Sequence, residues 1–239
     1  MSSPAVVGEL GDELRHLGWV TDLMVAGSLA TGDYVDGVSD LDLVALVDGP
    51  VGEQRQAALV QIHRRLDAGS GKGRQLGCVY VDAVEPVEAR HPTWTHGQLV
   101  HRVLSGITRA ELVRHGYAVL GRPPRDVFPE VDVRAAARAE LTGYWTWAAR
   151  RPWLWLDPAL ADLGLTSMAR GRHALATGEL LTKSEAVEQA YAPGWLIDQL
   201  GARRRGENVA SPRVRTAWIA WRDARRTVGR ARGAYRERQ

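Results

Sequence analysis

Strand-like and helix-like patterns are unevenly shared along this chain, and the switch near residue 133 limits what it can fold into. Before the switch, short apolar runs bounded by Gly, Asp and Pro alternate with amphipathic stretches. Residues 20–26 (VTDLMVA), 41–47 (LDLVALV) and 76–84 (LGCVYVDAV) read as strands, and residues 118–120 as a short strand running into Pro123-Pro124. Residues 5–17, 52–68, 99–106 and 108–115 read as helices. After the switch, residues 134–149, 158–177, 183–200 and 212–236 carry apolar positions at three- and four-residue spacing, with almost no strand signal. Gly178 reads as a helix stop, and Ser184-Glu185 after Lys183 as a helix start. The predicted class is α+β. A mixed α/β domain with a small mixed sheet takes residues 1–133, and an all-helical bundle takes residues 134–239. Both are long enough to bury a core.

Composition closes off other classes. No run of about 18 apolar residues is present, so no transmembrane helix is expected. Met1-Ser2-Ser3-Pro4 lacks the basic and apolar regions of a secretory signal, and the expected location is the cytoplasm. Cys78 is the only cysteine, which excludes an intrachain disulfide and a cysteine-based zinc site. Its place on the third strand suggests a buried thiol and not a nucleophile. None of the seven histidines has metal-ligand spacing. The net charge of +3 conceals an asymmetry. Residues 201–239 hold twelve Arg against Glu207, Asp223 and Glu237, a net of +9, so residues 1–200 carry −6. The basic stretch reads as a solvated helix held by its apolar stripe, as a phosphate-binding wall, or as a polyanion contact. Only Lys72 and Lys183 are lysines among the 31 basic residues.

One segment carries chemistry. The first strand runs into Gly27-Ser28, and eleven residues later Ser39 precedes Asp40-Leu41-Asp42 at the start of the second strand. Glycine lets a backbone approach a ligand closely. A serine hydroxyl beside the amides of a turn suits a phosphate. Asp40 and Asp42, two apart on a strand, point to one face. Two such carboxylates repel unless a cation lies between them, and Mg²⁺ is typically shared between a few carboxylates and substrate phosphates. The unit reads as a metal–nucleotide site.

The stretch VAGSLATGDYVDGVSDLDLVALV resembles the nucleotidyltransferase motif of the DNA polymerase β superfamily. The whole chain resembles the aminoglycoside adenylyltransferases that modify streptomycin and spectinomycin. HGYAVLGRPPRDVF is similar to that family's end of the first domain, and LTSMARGRHALATGELLTKSEAV to its central helix and the helix start that follows. The resemblance implies ATP and Mg²⁺ as cofactors and transfer of AMP to a hydroxyl of a small cationic acceptor, with release of pyrophosphate. It implies Gly27, Ser28 and Ser39 on the phosphate and metal side, Asp40 and Asp42 as metal ligands, and Arg170 and Lys183 on the ATP phosphates. A monomer is expected, with no membrane and no nucleic acid as partner.

The pattern is broken at one place. The family's general base is a glutamate on the third strand, and here that position falls near Gly77. Asp82 lies on the same strand and is the candidate substitute; it reads equally as an ordinary strand-end residue. Without a base the chain would bind nucleotide and transfer slowly, use a non-antibiotic acceptor, or act as a nucleotide-binding regulator. For a cationic acceptor, residues 144–162 offer Tyr144, four Trp within residues 145–155, Asp157 and Asp162. Trp155 and Asp157 are the favoured acceptor contacts, with Trp94 beside them. The alternative is that these indoles are core.

Overall fold

The structure, a computed structural model, describes residues 3–236. Met1, Ser2 and residues 237–239 belong to the expected domain ranges, and Glu237 to the charge count of the tail. They lie outside the described residues. The chain divides into two compact units, Met1–Val131 and Asp132–Gln239. The division falls two residues before the expected one, because Asp132 belongs to the helix it caps. Its side chain accepts from the amides of Arg134 and Ala135.

The first unit is built in the order α1 Ala5–His16, β1 Val20–Val25, α2 Gly27–Ala30, β2 Leu41–Val47, α3 Glu53–Ala68, β3 Leu76–Asp82, β4 Arg90–Thr95, β5 Gln98–Val103, α4 Gly106–His115 and β6 Tyr117–Leu120. Its six strands form one mixed sheet, ordered β5-β4-β3-β2-β1-β6. Only β2 and β3 run parallel, joined by the α3 crossover; the other neighbours are antiparallel. Alternation sorts the side chains onto two faces. Leu41, Leu43, Ala45 and Val47 of β2 and Leu76, Cys78 and Tyr80 of β3 meet α1 and α3. Met24, Val44, Leu46 and Val81 form the other core with Leu104, Leu112 and Phe128.

Residues 99–106, expected as helix, are mostly strand β5, and β4 was not anticipated. A two-residue turn makes the hairpin. Thr95 pairs with Gln98, and His96 and Gly97 between them both have positive φ, 49° and 73°. That is the backbone a tight hairpin prefers. The apolar spacing of Leu99, Val103 and Leu104 imitates a helix because β5 is an exposed sheet edge with little alternation.

The second unit contains α5 Val133–Thr142, α6 Tyr144–Ala149, α7 Pro158–Thr177, α8 Lys183–Glu188, α9 Gly194–Arg204 and α10 Arg213–Arg236. Two expected helices are each broken in two. Gly143 separates α5 from α6, and Pro193 stands before α9, where proline fits a helix start and not an interior. Gly178 ends α7 at φ 80°. Ala217, Ala220, Ala224, Val228 and Ala231 of α10 enter a core with Trp145, Trp155, Leu165, Met168 and Leu200. Arg172 of α7 binds Asp223 of α10 at 2.6 Å, and Arg203 of α9 holds Asp162 of α7 with two bonds of 2.6 and 2.9 Å. No helix among the described residues is long and apolar enough to cross a membrane.

Candidate active site

The turn after β1 is set by Gly27, whose φ of 59° an L side chain seldom adopts. The carboxylate of Asp42 occupies the space where a Cβ on Gly27 would lie. The Ala26 amide also donates to the Asp42 carbonyl at 2.8 Å. A glycine and an aspartate fifteen residues apart are thereby fixed side by side. Ser28, next in the chain, is buried, and its hydroxyl has no hydrogen-bond partner among the described residues. Buried hydroxyls without partners are uncommon, since each forfeits its hydration. This one stands where an oxygen ligand or a cation would satisfy it.

Asp40 and Asp42 are both half-buried at the entry to β2. The side chain of Asp40 has no hydrogen bond or ion pair among the described residues. Ser39 is buried and works in the turn itself: its hydroxyl accepts from the Val35 amide at 3.0 Å, and its amide donates to the Val35 carbonyl at 2.8 Å. No group of three or more His, Cys, Asp or Glu that could hold a metal occurs among the described residues. Asp40, Asp42 and Ser28 offer two carboxylates and a hydroxyl, donors of the type taken by an ion that keeps waters and borrows phosphate oxygens.

The third strand passes beside this pair. Asp42 is the register partner of Gly77, so both positions face the same side of the sheet. A Cβ at residue 77 would lie 4.0 Å from Asp42 Oδ1 and 3.5 Å from the Leu41 carbonyl, ordinary contact distances. The position is open, adjacent to the Asp42 carboxylate and without a functional group. Asp82 does not fill it. It pairs with Val47, five rungs along, about 17 Å away at ~3.3 Å per residue. It also lies on the opposite face, with Leu76, Cys78 and Tyr80. Its carboxylate accepts from the Val84 amide at 3.0 Å, which is the strand-end reading. The structure does not bring Asp82 to Asp40 and Asp42.

Two expected acceptor contacts are core residues. Trp94 is 1% exposed, stacked on His63 at 4.9 Å, with its Nε1 donating to Asp67 at 3.2 Å. Trp155 is also 1% exposed; its ring covers Gly164 and its Nε1 donates to the Ala148 carbonyl at 3.1 Å. Their large rings are consumed by packing. Asp157 is exposed and caps α7, accepting from the Ala159 amide at 2.9 Å. Asp162 is held by Arg203. Within residues 144–162 the indoles left in solvent are Trp147 and Trp153, at 45% and 62% exposure, beside Tyr144 at 51%. Tyr144 stacks on Trp147 at 5.7 Å, and the Arg151 guanidinium lies 4.3 Å from the centroid of the Trp147 ring, so that ring already holds a cation.

In the second unit, the helix start at α8 belongs to Thr182, one residue before Lys183. Thr182 and Glu185 form a reciprocal capping box, which displaces the expected Ser184-Glu185 start. Lys183 is therefore the first helical residue, half-buried, with no ion pair among the described residues. Arg170 Nε donates to the Leu181 carbonyl at 2.9 Å. The two basic residues are thus drawn together, Arg170 bracing the segment that presents Lys183.

The GRPP stretch has a job in the first unit that its sequence did not disclose. Asp22, 1% exposed, accepts from the Arg122 amide at 2.7 Å and from its guanidinium at 3.1 and 2.8 Å. Burial pushes the Asp22 carboxyl up, but Arg122 and Thr21 outweigh it and hold its pKa below the ordinary value. The pair fastens β6 to β1, the strand that delivers Gly27. An acid inside an apolar strand followed much later by Gly-Arg was the available signal.

Residues 7–85 match the family model of the nucleotidyltransferase domain. This stretch is a nucleotidyltransferase domain. It contains Gly27, Ser28, Asp40, Asp42 and Gly77, and it makes the chain a transferase by type. The chain has the fold of the spectinomycin adenyltransferase AAD(9) from Enterococcus faecialis, solved with ATP and spectinomycin. The TM-score is 0.72 at 15% sequence identity, over 95% of this chain and 99% of that one. At that identity the likeness is one of fold. No curated protein sequence matches.

Proposed function

We infer that the nucleotidyltransferase domain transfers AMP from Mg²⁺-bound ATP to a hydroxyl of a small cationic acceptor of the aminoglycoside type. The observation that carries the reading is the arrangement at the first turn. Asp42 is packed over Gly27, beside a buried Ser28 hydroxyl that has no protein partner. Asp40 and Asp42 are the residues that would hold Mg²⁺, and Ser28 the hydroxyl that would meet a phosphate oxygen. Bound Mg²⁺ would supply charge neutralisation on the triphosphate.

The residues of the chain bind and orient. The acceptor hydroxyl attacks the α-phosphorus, its new P–O bond forms as the bond to pyrophosphate breaks, and its proton passes to solvent water. Lys183 and Arg170 are the proposed cations for the negative charge that collects on pyrophosphate. For the acceptor, the exposed Tyr144 and Trp153 with Asp157 replace the buried Trp94 and Trp155 as proposed contacts. Aromatic faces with a carboxylate suit a polycation.

A second reading has its own observation. Gly77 supplies no base, and such a group typically contributes roughly 10²–10⁴-fold. A chain that binds MgATP and transfers slowly, or only senses nucleotide, is the consequence. Pyrophosphate release with a panel of aminoglycosides and spectinomycin separates the two. Release that requires one acceptor, and is lost in Asp40→Asn, supports transfer. Measurable MgATP binding with no release for any acceptor supports the sensor.

A further inference from the structure

The basic stretch of the second unit is only partly accounted for by its contacts. Arg213 donates to the Leu156 carbonyl at 2.6 Å. Arg215, Arg222 and Arg225 lie over the rings of Trp195, Trp218 and Trp221. Three other arginines converge on one open groove of about 1020 Å³ instead: Arg138 of α5, Arg150 after α6, and Arg232 of α10. None of their side chains has a hydrogen bond or ion pair among the described residues. The Nε of Arg138 is buried and unbonded. A buried guanidinium N–H without an acceptor is costly, and three cations in one groove repel.

The groove wall carries a second oddity. Gly229 and Gly233 lie inside α10, where glycine weakens a helix. Packing does not require them, since a Cβ at either would meet nothing within 4 Å. Their effect is to leave the backbone open on the side that Arg232 flanks. Unpaired guanidinium forks beside bare backbone suit a compact group with several negative oxygens.

We propose that this groove binds the phosphates of a small di- or triphosphate, either free pyrophosphate or a nucleoside polyphosphate. Its volume is that of a small-molecule site. The bounded volume of the groove favours a compact anion over a long nucleic acid, which the displacement arm of the test addresses. The site lies wholly within the second unit and needs neither Asp40 nor Asp42.

The test is calorimetric titration of the full chain carrying Asp40→Asn, in EDTA and low salt, with inorganic pyrophosphate. The substitution and the absence of Mg²⁺ remove the metal–nucleotide site, so failure here is distinct from failure of the proposed transfer. One-to-one binding is expected. It should weaken about tenfold or more in Arg232→Ala and again in Arg138→Gln, the scale of a charge-assisted bond. Lysine at 232 should restore only part of it. Gly229→Leu fills the groove from an exposed helix face, so it should abolish binding in a chain that melts no lower than the parent. Titrations with ATP and AMP identify the source. Equal affinity for ATP and pyrophosphate assigns the free anion, and much tighter ATP assigns the nucleotide. The proposal is overturned if pyrophosphate does not bind, or if Arg232→Ala and Gly229→Leu leave its affinity unchanged. It is equally overturned if a single-stranded DNA oligomer displaces pyrophosphate at far lower phosphate concentration.

Discussion

Gly77 is the residue on which the chemistry turns. The Asp42 rung puts it beside that carboxylate, and a Cβ there would meet only ordinary contacts. Gly77→Glu should therefore add a third oxygen donor and a base. Transfer is expected to rise about 10²-fold or more, and Mg²⁺ affinity to rise with it, while stability in EDTA falls through like-charge repulsion. Steady-state pyrophosphate release and Mg²⁺ titration check both; an unchanged rate would mean that proton removal does not limit this enzyme. Gly27 tests the opposite condition. Its φ of 59° and the Asp42 carboxylate leave no room for a side chain, so Gly27→Ala should lower MgATP affinity by displacing Asp42. Ser28→Ala should barely change stability, because the hydroxyl makes no bond to lose, and should weaken MgATP binding. A loss of stability equal to that of an ordinary buried hydrogen bond would contradict the ligand role given to Ser28.

At the scale of elements, two buried polar contacts hold the sheet that presents the site. Asp22→Asn should destabilise the first unit by about 2 kcal/mol in urea unfolding, through the charged bonds to Arg122 that fasten β6. His63 of α3 is fully buried, bonded to the Tyr80 hydroxyl at 2.7 Å and stacked on Trp94. Burial lowers its pKa from 6.5 to about 3. Between those values the unfolded chain binds a proton that the folded chain refuses. Stability is thus complete above about pH 6.5 and falls by ~1.4 kcal/mol for each pH unit below it. His63→Gln should flatten that slope between about pH 5 and 6.5, as urea midpoints would measure. Elements with strong periodicity were readable from the chain: the runs at 20–26, 41–47 and 76–84 became β1, β2 and β3. The β4–β5 hairpin was not, because β5 is an edge with Leu99 and Val100 as its only apolar pair and its turn is spelled His96-Gly97. The helix breaks at Gly143 and Pro193 were legible as residues, but apolar spacing continues across them. Asp40 and Asp42 were legible as residues, two apart at the entry to β2. The failures at Trp94, Trp155 and Asp82 share a cause. Whether an indole is core or surface, and which rung an acid occupies, depends on pairings between distant segments that one strand cannot reveal.

For the whole molecule, the charge asymmetry divides into separate tasks. The arginines of α10 are in part structural, stacked on indoles or bonded to a carbonyl, and one, Arg232, joins Arg138 and Arg150 at a groove with no carboxylate among the described residues. The stretch that matches the nucleotidyltransferase family model spans residues 7–85 of the first unit, and the second unit carries the exposed Tyr144, Trp147 and Trp153. Trp153→Ala should raise the acceptor KM without altering ATP affinity, since its ring is 62% exposed and supports little core. Cys78, fully buried with its thiol pushed up to about 12 by burial, should resist thiol reagents until the first unit unfolds. The central claim is that Asp40 and Asp42 serve nucleotidyl transfer to a cationic acceptor. It is tested most directly by pyrophosphate release from ATP and Mg²⁺ in the presence of spectinomycin and a series of aminoglycosides, with Asp40→Asn and Asp42→Asn alongside. Acceptor-dependent release that both substitutions abolish is the predicted result. Acceptor-independent release, or release that survives either substitution, would contradict it.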